Sequence, residues 1–317
     1  MRKPRLVPDN TKIPFFRYRW VAFGWSLFVL VATVILVATS GLNRGVDFRG
    51  GVLLEVRTPG PADLALMRST LGELDLGEVS LQTAGSDDQV MIRARAAEGD
   101  QQAQLQTVER IKGALDEALG GGLSYQRAEF VGPRVSEELL VNSVWAVLVS
   151  LLGVLLYLWF RFEWQYGIGA IASLIHDVSA AIGIYAVSGI EFNLTSVAAI
   201  LTLVGYSLND TVVIYDRIRE NLRKYRKMAI EPLLNLSLNE TLSRTMVTSI
   251  SILLALAMLL ILGPDVIFGL TIAIFIGIFV GTYSSIYISS PVLVWLGVKP
   301  DSFIRSEDKD PTVFQRS

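Results

Sequence analysis

Six apolar runs divide this sequence: Val21–Thr39, Leu139–Trp159, Gly167–Val187, Leu194–Tyr215, Met246–Leu262 and Val266–Ser289. Crossing about 30 Å of hydrocarbon takes about 20 apolar residues in a helix, and each run is of that order. In lipid every backbone polar group must find its partner within the segment, so such runs fold as helices. Between the first two runs lies one polar stretch, residues 40–138, long enough for a domain of its own. A tail over residues 1–20, a loop over 216–245 and a tail over 290–317 complete the division. The expected fold class is therefore a polytopic α-helical membrane protein with six transmembrane helices and one exported domain.

Composition excludes several chemistries. Cysteine is absent, so there is no disulfide framework and no thiolate chemistry. The one histidine, His176, rules out a histidine-based metal cluster, and no cofactor is expected. No G-x-x-x-x-G-K-[ST] motif occurs, and the segment Asp216 to Glu240 is too short for an ATPase domain. Any work must come from an ion gradient or a partner; one charge crossing is worth about 2.3 kcal/mol per 100 mV.

Charge sets the expected topology. The amino-terminal tail carries Arg2, Lys3, Arg5, Lys12, Arg17 and Arg19 against Asp9. The segment after the fourth run carries Arg217, Arg219, Arg223, Lys224, Arg226 and Lys227, whereas Ser188–Asn193 and Gly263–Asp265 have no Lys or Arg. The positive-inside rule puts both termini and the Arg217–Lys227 loop in the cytoplasm and the large loop on the far side of the membrane. Six spans give the same parity. Ala38-Thr39-Ser40 looks like a signal cleavage site, but the apolar run before it exceeds the roughly 7–15 residues of a signal core. It reads as a retained anchor.

In the exported stretch, Val52, Leu54 and Val56 alternate with Leu53, Glu55 and Arg57, a strand pattern just after Gly50-Gly51. Pro61 to Leu74 reads as a helix with Leu64, Met67, Leu71 and Leu74 on one face. Val79, Leu81, Thr83 and then Val90, Ile92, Ala94 give two strands joined through Gly85-Ser86-Asp87-Asp88. A helix from Gln101 to Leu119 turns Leu105, Val108, Ile111, Leu115 and Leu119 inward and ends at Gly120-Gly121-Gly122. Ser124 to Val131 is the last strand. The order β-α-β-β-α-β is the α+β ferredoxin-like plan. It reads as a docking module or as a spacer that orients the first two spans.

Asp210 lies within the fourth run, although a carboxylate at mid-membrane costs about 2.5–3.5 kcal/mol on insertion scales. Thr202, Gly205, Tyr206, Asn209 and Asp210 recur at spacings of three and four, so they are expected to share a bundle-facing side. Leu201, Leu203, Leu208, Val212 and Ile214 are expected on the other sides. The partner candidates are Arg244, at the start of the fifth run, and His176-Asp177 in the third: burial favours the protonated acid and a nearby guanidinium the anion. An acid whose arginine approaches and retreats binds and releases a proton. The plainer readings are a static ion pair and an Asp210 that snorkels to the interface. His176 and Asp177 lie in the third run, with no partner evident. Gly269, Ala273, Gly277, Gly281, Ser285 and Ser289 form a small-residue ridge at every fourth position of the sixth run, suited to close helix packing. Gly169, Ser173, Asp177 and Ala181 form a shorter row in the third.

GVDFRGG at Gly45–Gly51, GYSLNDTVVIYDRIREN at Gly205–Asn221 and LNETLSRT at Leu238–Thr245 resemble the SecF family, the smaller membrane subunits of SecD–SecF protein-export complexes. The resemblance covers nearly the whole chain. It implies half of a resistance-nodulation-division (RND) type bundle that pairs with SecD. It also implies use of the proton-motive force to move unfolded preprotein through the SecYEG translocon, within the lipid bilayer and without nucleic acid. The family's proton-pathway aspartate and arginine fall on Asp210 and Arg244. Two alternatives stay open on the residues alone: an RND-like exporter of lipid or small molecules, and a non-transporting membrane scaffold.

Overall fold

The computed structural model describes residues 11–74, 76, 79–84, 86–94, 101–264 and 267–298. Most of the amino-terminal basic tail, Gly85 of the hairpin, Asp265 with Val266, and the tail from Lys299 lie outside the described residues.

Helix α1 (Arg19–Thr39) follows a short 3-10 turn at Phe15–Tyr18 and leads to α2 (Val46–Arg49). The small domain then runs β1 (Gly51–Arg57), α3 (Leu64–Gly72), β2 (Val79–Ala84), β3 (Ser86–Ala94), α4 (Gln101–Leu119) and β4 (Ser124–Val131). The bundle resumes with α5 (Pro133–Arg161), α6 (Trp164–Ser188), α7 (Leu194–Lys224), α8 (Ile230–Leu262) and α9 (Phe268–Ser284). A π turn at Ser285–Ser289 and α10 (Ser290–Trp295) continue α9. Among the described residues, six helices are long and apolar enough to cross a membrane.

The sheet order is β2-β3-β1-β4 with every pairing antiparallel, which is the ferredoxin-like topology. Leu54 stands opposite Ile92 on one side and Ala128 on the other. Asp63 caps α3 by accepting from the Ala65 and Leu66 amides. The core joins Val52, Leu54, Val56, Val90 and Ile92 to Met67 and Leu71 of α3 and to Val108, Ile111 and Leu115 of α4. Leu105, expected inward, is exposed. The buried face of α4 is Gln104, Thr107, Val108, Ile111 and Leu115, and Leu105 falls a third of a turn off it. At the hairpin, the Ser86 hydroxyl and then the Arg57 guanidinium hold the Asp88 carboxyl below its ordinary range.

Leu54 has no exposed surface. Leu54→Ala is expected to cost about 2–5 kcal/mol. Amide exchange across β1–β4 should speed accordingly while α6–α9 keep their protection, which separates a domain defect from a bundle defect.

The second face of the sheet is not solvated as simple alternation implies. Leu53 and Glu55 are buried there, above a cleft of about 970 Å³ between the sheet and the end of the bundle. The chain is stitched across this seam. Phe192 donates its amide to the Asn43 carbonyl at 2.8 Å, and Gly45 donates to the Phe192 carbonyl at 2.9 Å. Arg93 of β3 pairs with Glu191, and Asp47 accepts the first amide of α7, Leu194, at 3.0 Å. Gly50 and Gly51 carry φ of +71° and +138°, a backbone that L side chains rarely adopt. A side chain at Gly50 would also press on the Pro133 backbone at 3.2 Å, where α5 begins.

At the opposite end the helices outrun the apolar segments. Residues 216–245, expected as a loop, are almost wholly the ends of α7 and α8. The reason is amphipathic packing: Leu222, Leu233, Leu234 and Leu238 are buried with Phe15 and Phe16. Ile13 donates its amide to Asn239 at 2.9 Å, and Arg19 pairs with Glu231, so the amino-terminal segment docks on this end.

Candidate functional site

The middle of the bundle holds two buried carboxylates on neighbouring helices. α7 presents Leu203, Ser207, Asp210, Thr211 and Ile214 inward, all buried. What brings α9 against them is the glycine row. A Cβ on Gly277 would meet Leu203 Cδ1 at 2.6 Å. One on Gly281 would lie 3.5 Å from both Asp177 Oδ2 and the Ser207 side chain. Without side chains at these places, α9 reaches α6 and α7 together.

Asp177 on α6 has no exposed surface. Its Oδ2 accepts from Ser207 at 2.6 Å and from Ser284 at 2.8 Å, and Ser173 donates in turn to Ser284 at 2.8 Å. Its Oδ1 lies 3.1 Å from His176 Nδ1. The partner that sequence alone leaves blank is thus a hydroxyl set from three helices, with the adjacent imidazole.

Asp210 is 3% exposed. Its Oδ2 accepts from Ser249 of α8 at 3.2 Å, and Thr282 of α9 donates to the Ser249 hydroxyl at 2.8 Å. Thr211, the next residue, meets Ser285 at 3.0 Å. Among the described residues no ion pair joins Asp210 to Arg244. Arg244 is exposed and sits one to two turns from Ser249 along α8. The expected contact is absent because α8 turns Thr245 and Ser249 inward, and Arg244 falls off that side.

The expected polar side of α7 also divides. Asp210 faces the bundle and Tyr206 is half-buried, but Thr202, Gly205 and Asn209 are exposed. Conversely Leu203 and Ile214, expected toward lipid, are each 1% exposed. In hydrocarbon, polarity does not report which side of a helix is inward, because both the bundle interior and the lipid accept leucine. Along the sixth span, Ala273, Gly277 and Gly281 are buried, whereas Gly269 is half-buried against Ile190. Ser207, Ser249, Thr282 and Ser284 were the residues sequence reasoning did not single out. Their signal was a hydroxyl within an apolar run; that of Ser207 also lay one turn before Asp210.

Asp210 is held by a serine hydroxyl, makes no ion pair among the described residues and feels the Arg244 charge only at longer range. The arrangement suits a group that takes up and gives away a proton. Among the described residues no group of three or more metal-ligating side chains is placed to hold a metal.

Comparison with known proteins bears on this bundle directly. Residues 111–299 match the family model for the protein export membrane protein SecD/SecF, C-terminal, and residues 35–58 match the SecD/SecF GG motif. The protein translocase subunit SecF of Rhodobacter capsulatus is 41% identical over 97% of this chain and 95% of its own length. The chain belongs to the SecF family. The SecF subunit of Rickettsia akari is 42% identical over 91% of this chain and 93% of that relative. Among solved structures, SecDF from Thermus, described as a translocon-associated membrane protein, superposes with a TM-score of 0.83 at 34% identity. It matches 93% of this chain, which spans 40% of that longer SecDF chain. SecDF in a super-membrane-facing form gives 0.67 over the same shares. The GG motif of the family is the Gly50-Gly51 turn, where the backbone leaves α2 for β1 under the start of α5.

Proposed function

We infer that this chain is an accessory subunit of the Sec protein-export machinery that, paired with SecD, couples proton movement through its bundle to preprotein translocation at SecYEG. The observation that carries the coupling is Asp210: an acid in a membrane-spanning helix, nearly fully buried, held by a serine hydroxyl and touched by no cation among the described residues. Protonation there changes the charge of the bundle interior by one unit, and each state has its own cost of burial. Arg244, displaced along α8, acts as a charge that approaches Asp210 in another state of the cycle. Membership of the family supports the export role, and the SecDF structures, which carry this fold within a longer chain, support SecD as partner. The basic end of the bundle and the docked amino-terminal segment face the cytoplasm by the positive-inside rule, with the sheet domain in the periplasm.

The open stripe Thr202–Gly205–Asn209 supports the same pairing. Polar groups left facing hydrocarbon are costly, and small ones let another helix approach closely. Gly205 has nothing within 4 Å of a Cβ built on it. Gly205→Leu should therefore leave the chain's own thermal stability unchanged while weakening copurification with SecD about tenfold or more. Full recovery of SecD with this variant places the interface elsewhere. The coupling itself is tested by Asp210→Asn in vesicles driven by a proton gradient.

A further inference from the structure

The second acid, Asp177, has no role in the reading above, and the groove beside it supplies one. A groove of about 400 Å³ opens between α1, α6, α8 and α9. Trp25, Val29, Leu253 and Phe279 make its walls apolar, but His176 and Ser249 both line it. Ser249 leads to Asp210 through its hydroxyl, and His176 leads to Asp177 through Nδ1. His176 is 4% exposed, and its Nε2 has no hydrogen-bond partner among the described residues. This ring nitrogen is buried without a partner just beneath a groove that Ser249 and Thr282 also line, and an unpartnered buried polar atom is where an ordered water is stabilised when the groove wall opens.

We propose that His176 is a proton-carrying residue and that His176–Asp177 forms a second proton station, loaded from the groove it shares with Ser249 and Asp210. The step conserves protons and charge. Nε2 takes a proton from a water-borne donor in the groove, and the ring becomes cationic. Nδ1 then releases its own proton to Asp177 Oδ1, which leaves a neutral imidazole carrying hydrogen on Nε2 and a neutral carboxylic acid. Unloading runs in reverse. Ser207 and Ser284 remain donors to Oδ2 throughout, so the acid accepts its proton at the oxygen facing His176.

The surroundings favour this exchange. The groups facing the groove with His176 are Asp177 on its own helix, Tyr283 on α9 and Tyr287 in the π turn, with the Tyr283 ring centred 6.0 Å from the imidazole. From α1 and α8 the lining is Trp25, Val29, Met246, Ser249, Ile250 and Leu253, none of which carries charge. The imidazole therefore answers to one carboxylate and to whatever enters the groove. Histidine is the side chain whose unperturbed protonation falls within about pH 5–8.

The inference rests on the proton-coupled reading, and the test separates the two. This chain has a single histidine. Labelled with ¹⁵N-histidine and assembled with unlabelled SecD, the wild-type complex gives one imidazole to follow. Its resonances should exchange between the two tautomers when the pH of the sample is changed. One fixed neutral tautomer throughout overturns the proposal whatever the variants do. In gradient-driven vesicles, His176→Gln keeps a hydrogen-bonding side chain but carries no proton; it should slow export about tenfold or more and flatten its pH dependence. Wild-type rate and pH profile for His176→Gln, beside an inactive Asp210→Asn, sink the second station alone. An active Asp210→Asn sinks both readings.

Discussion

Asp210→Asn is expected to accumulate, insert and pair with SecD as the wild type does, while export driven by a proton gradient falls to the level seen without one. The amide has almost the volume of the carboxylate, and its oxygen still accepts from Ser249, the contact the acid makes at 3.2 Å. Insertion becomes easier, since the carboxylate's cost of about 2.5–3.5 kcal/mol at mid-helix is removed. What is lost is the ability to exist in two protonation states. A positioned proton-transfer group contributes about 10²–10⁴-fold to a rate, so the gradient-dependent component should drop by at least about 10²-fold. The assay is translocation into vesicles with and without an uncoupler. A variant whose export still collapses on uncoupling leaves Asp210 outside the mechanism. Reduced accumulation is controlled by thermal unfolding of the purified complex, which should be unchanged.

Within the helical bundle, the largest expected effect on stability lies at Gly169, in the small-residue row of α6. A Cβ there would stand 2.5 Å from the Tyr215 hydroxyl and 2.8 Å from the Ser289 carbonyl oxygen. Neither neighbour has room to yield. Tyr215 is fully buried and packed edge-on to Tyr166 at 4.9 Å, and the Ser289 oxygen is backbone in the π turn. Gly169→Ala should destabilise the bundle by about 1–3 kcal/mol, the usual cost of overpacking. Gly205→Ala, in open space on α7, should be neutral or slightly stabilising, because alanine favours a helix by about 1 kcal/mol over glycine. Thermal unfolding of the purified chain in detergent compares them. Equal midpoints contradict the close approach of α6 to the π turn.

The fold was largely written in periodicities. The six runs, the alternation of Val52, Leu54 and Val56, and the i, i+3, i+4 spacing of Val108, Ile111 and Leu115 each encode one face of one element. Burial of Asp210 was also legible, from the cost of leaving it in hydrocarbon. Facing directions inside the membrane were not. Leu203 was expected outward and lies under Gly277, while Thr202 and Asn209 were expected inward and are open. Hydrophobicity separates interior from exterior only when the exterior is water. The partners of Asp177 were hidden for another reason. Ser207 and Ser284 come from helices 30 and 107 positions away, and nothing local marks a serine as the one that will arrive. The small-residue ridge of the sixth span is a single row in the sequence, yet its glycines meet the α6–α7 connection, then α7, then α6 and α7 together. A repeat of four residues winds slowly around a helix of 3.6 residues per turn.

One continuous helix ties these parts mechanically. α7 runs unbroken from Leu194, whose amide is gripped by Asp47 at the foot of the sheet domain, through Asp210 to the basic end at Lys224. Grip and acid are 16 residues apart, about 24 Å along a shaft of 1.5 Å per residue. A shaft has no slack: any tipping that unveils the carboxylate must also swing the platform at its far end. On the proposed function, gating at one end and displacement at the other are a single stroke.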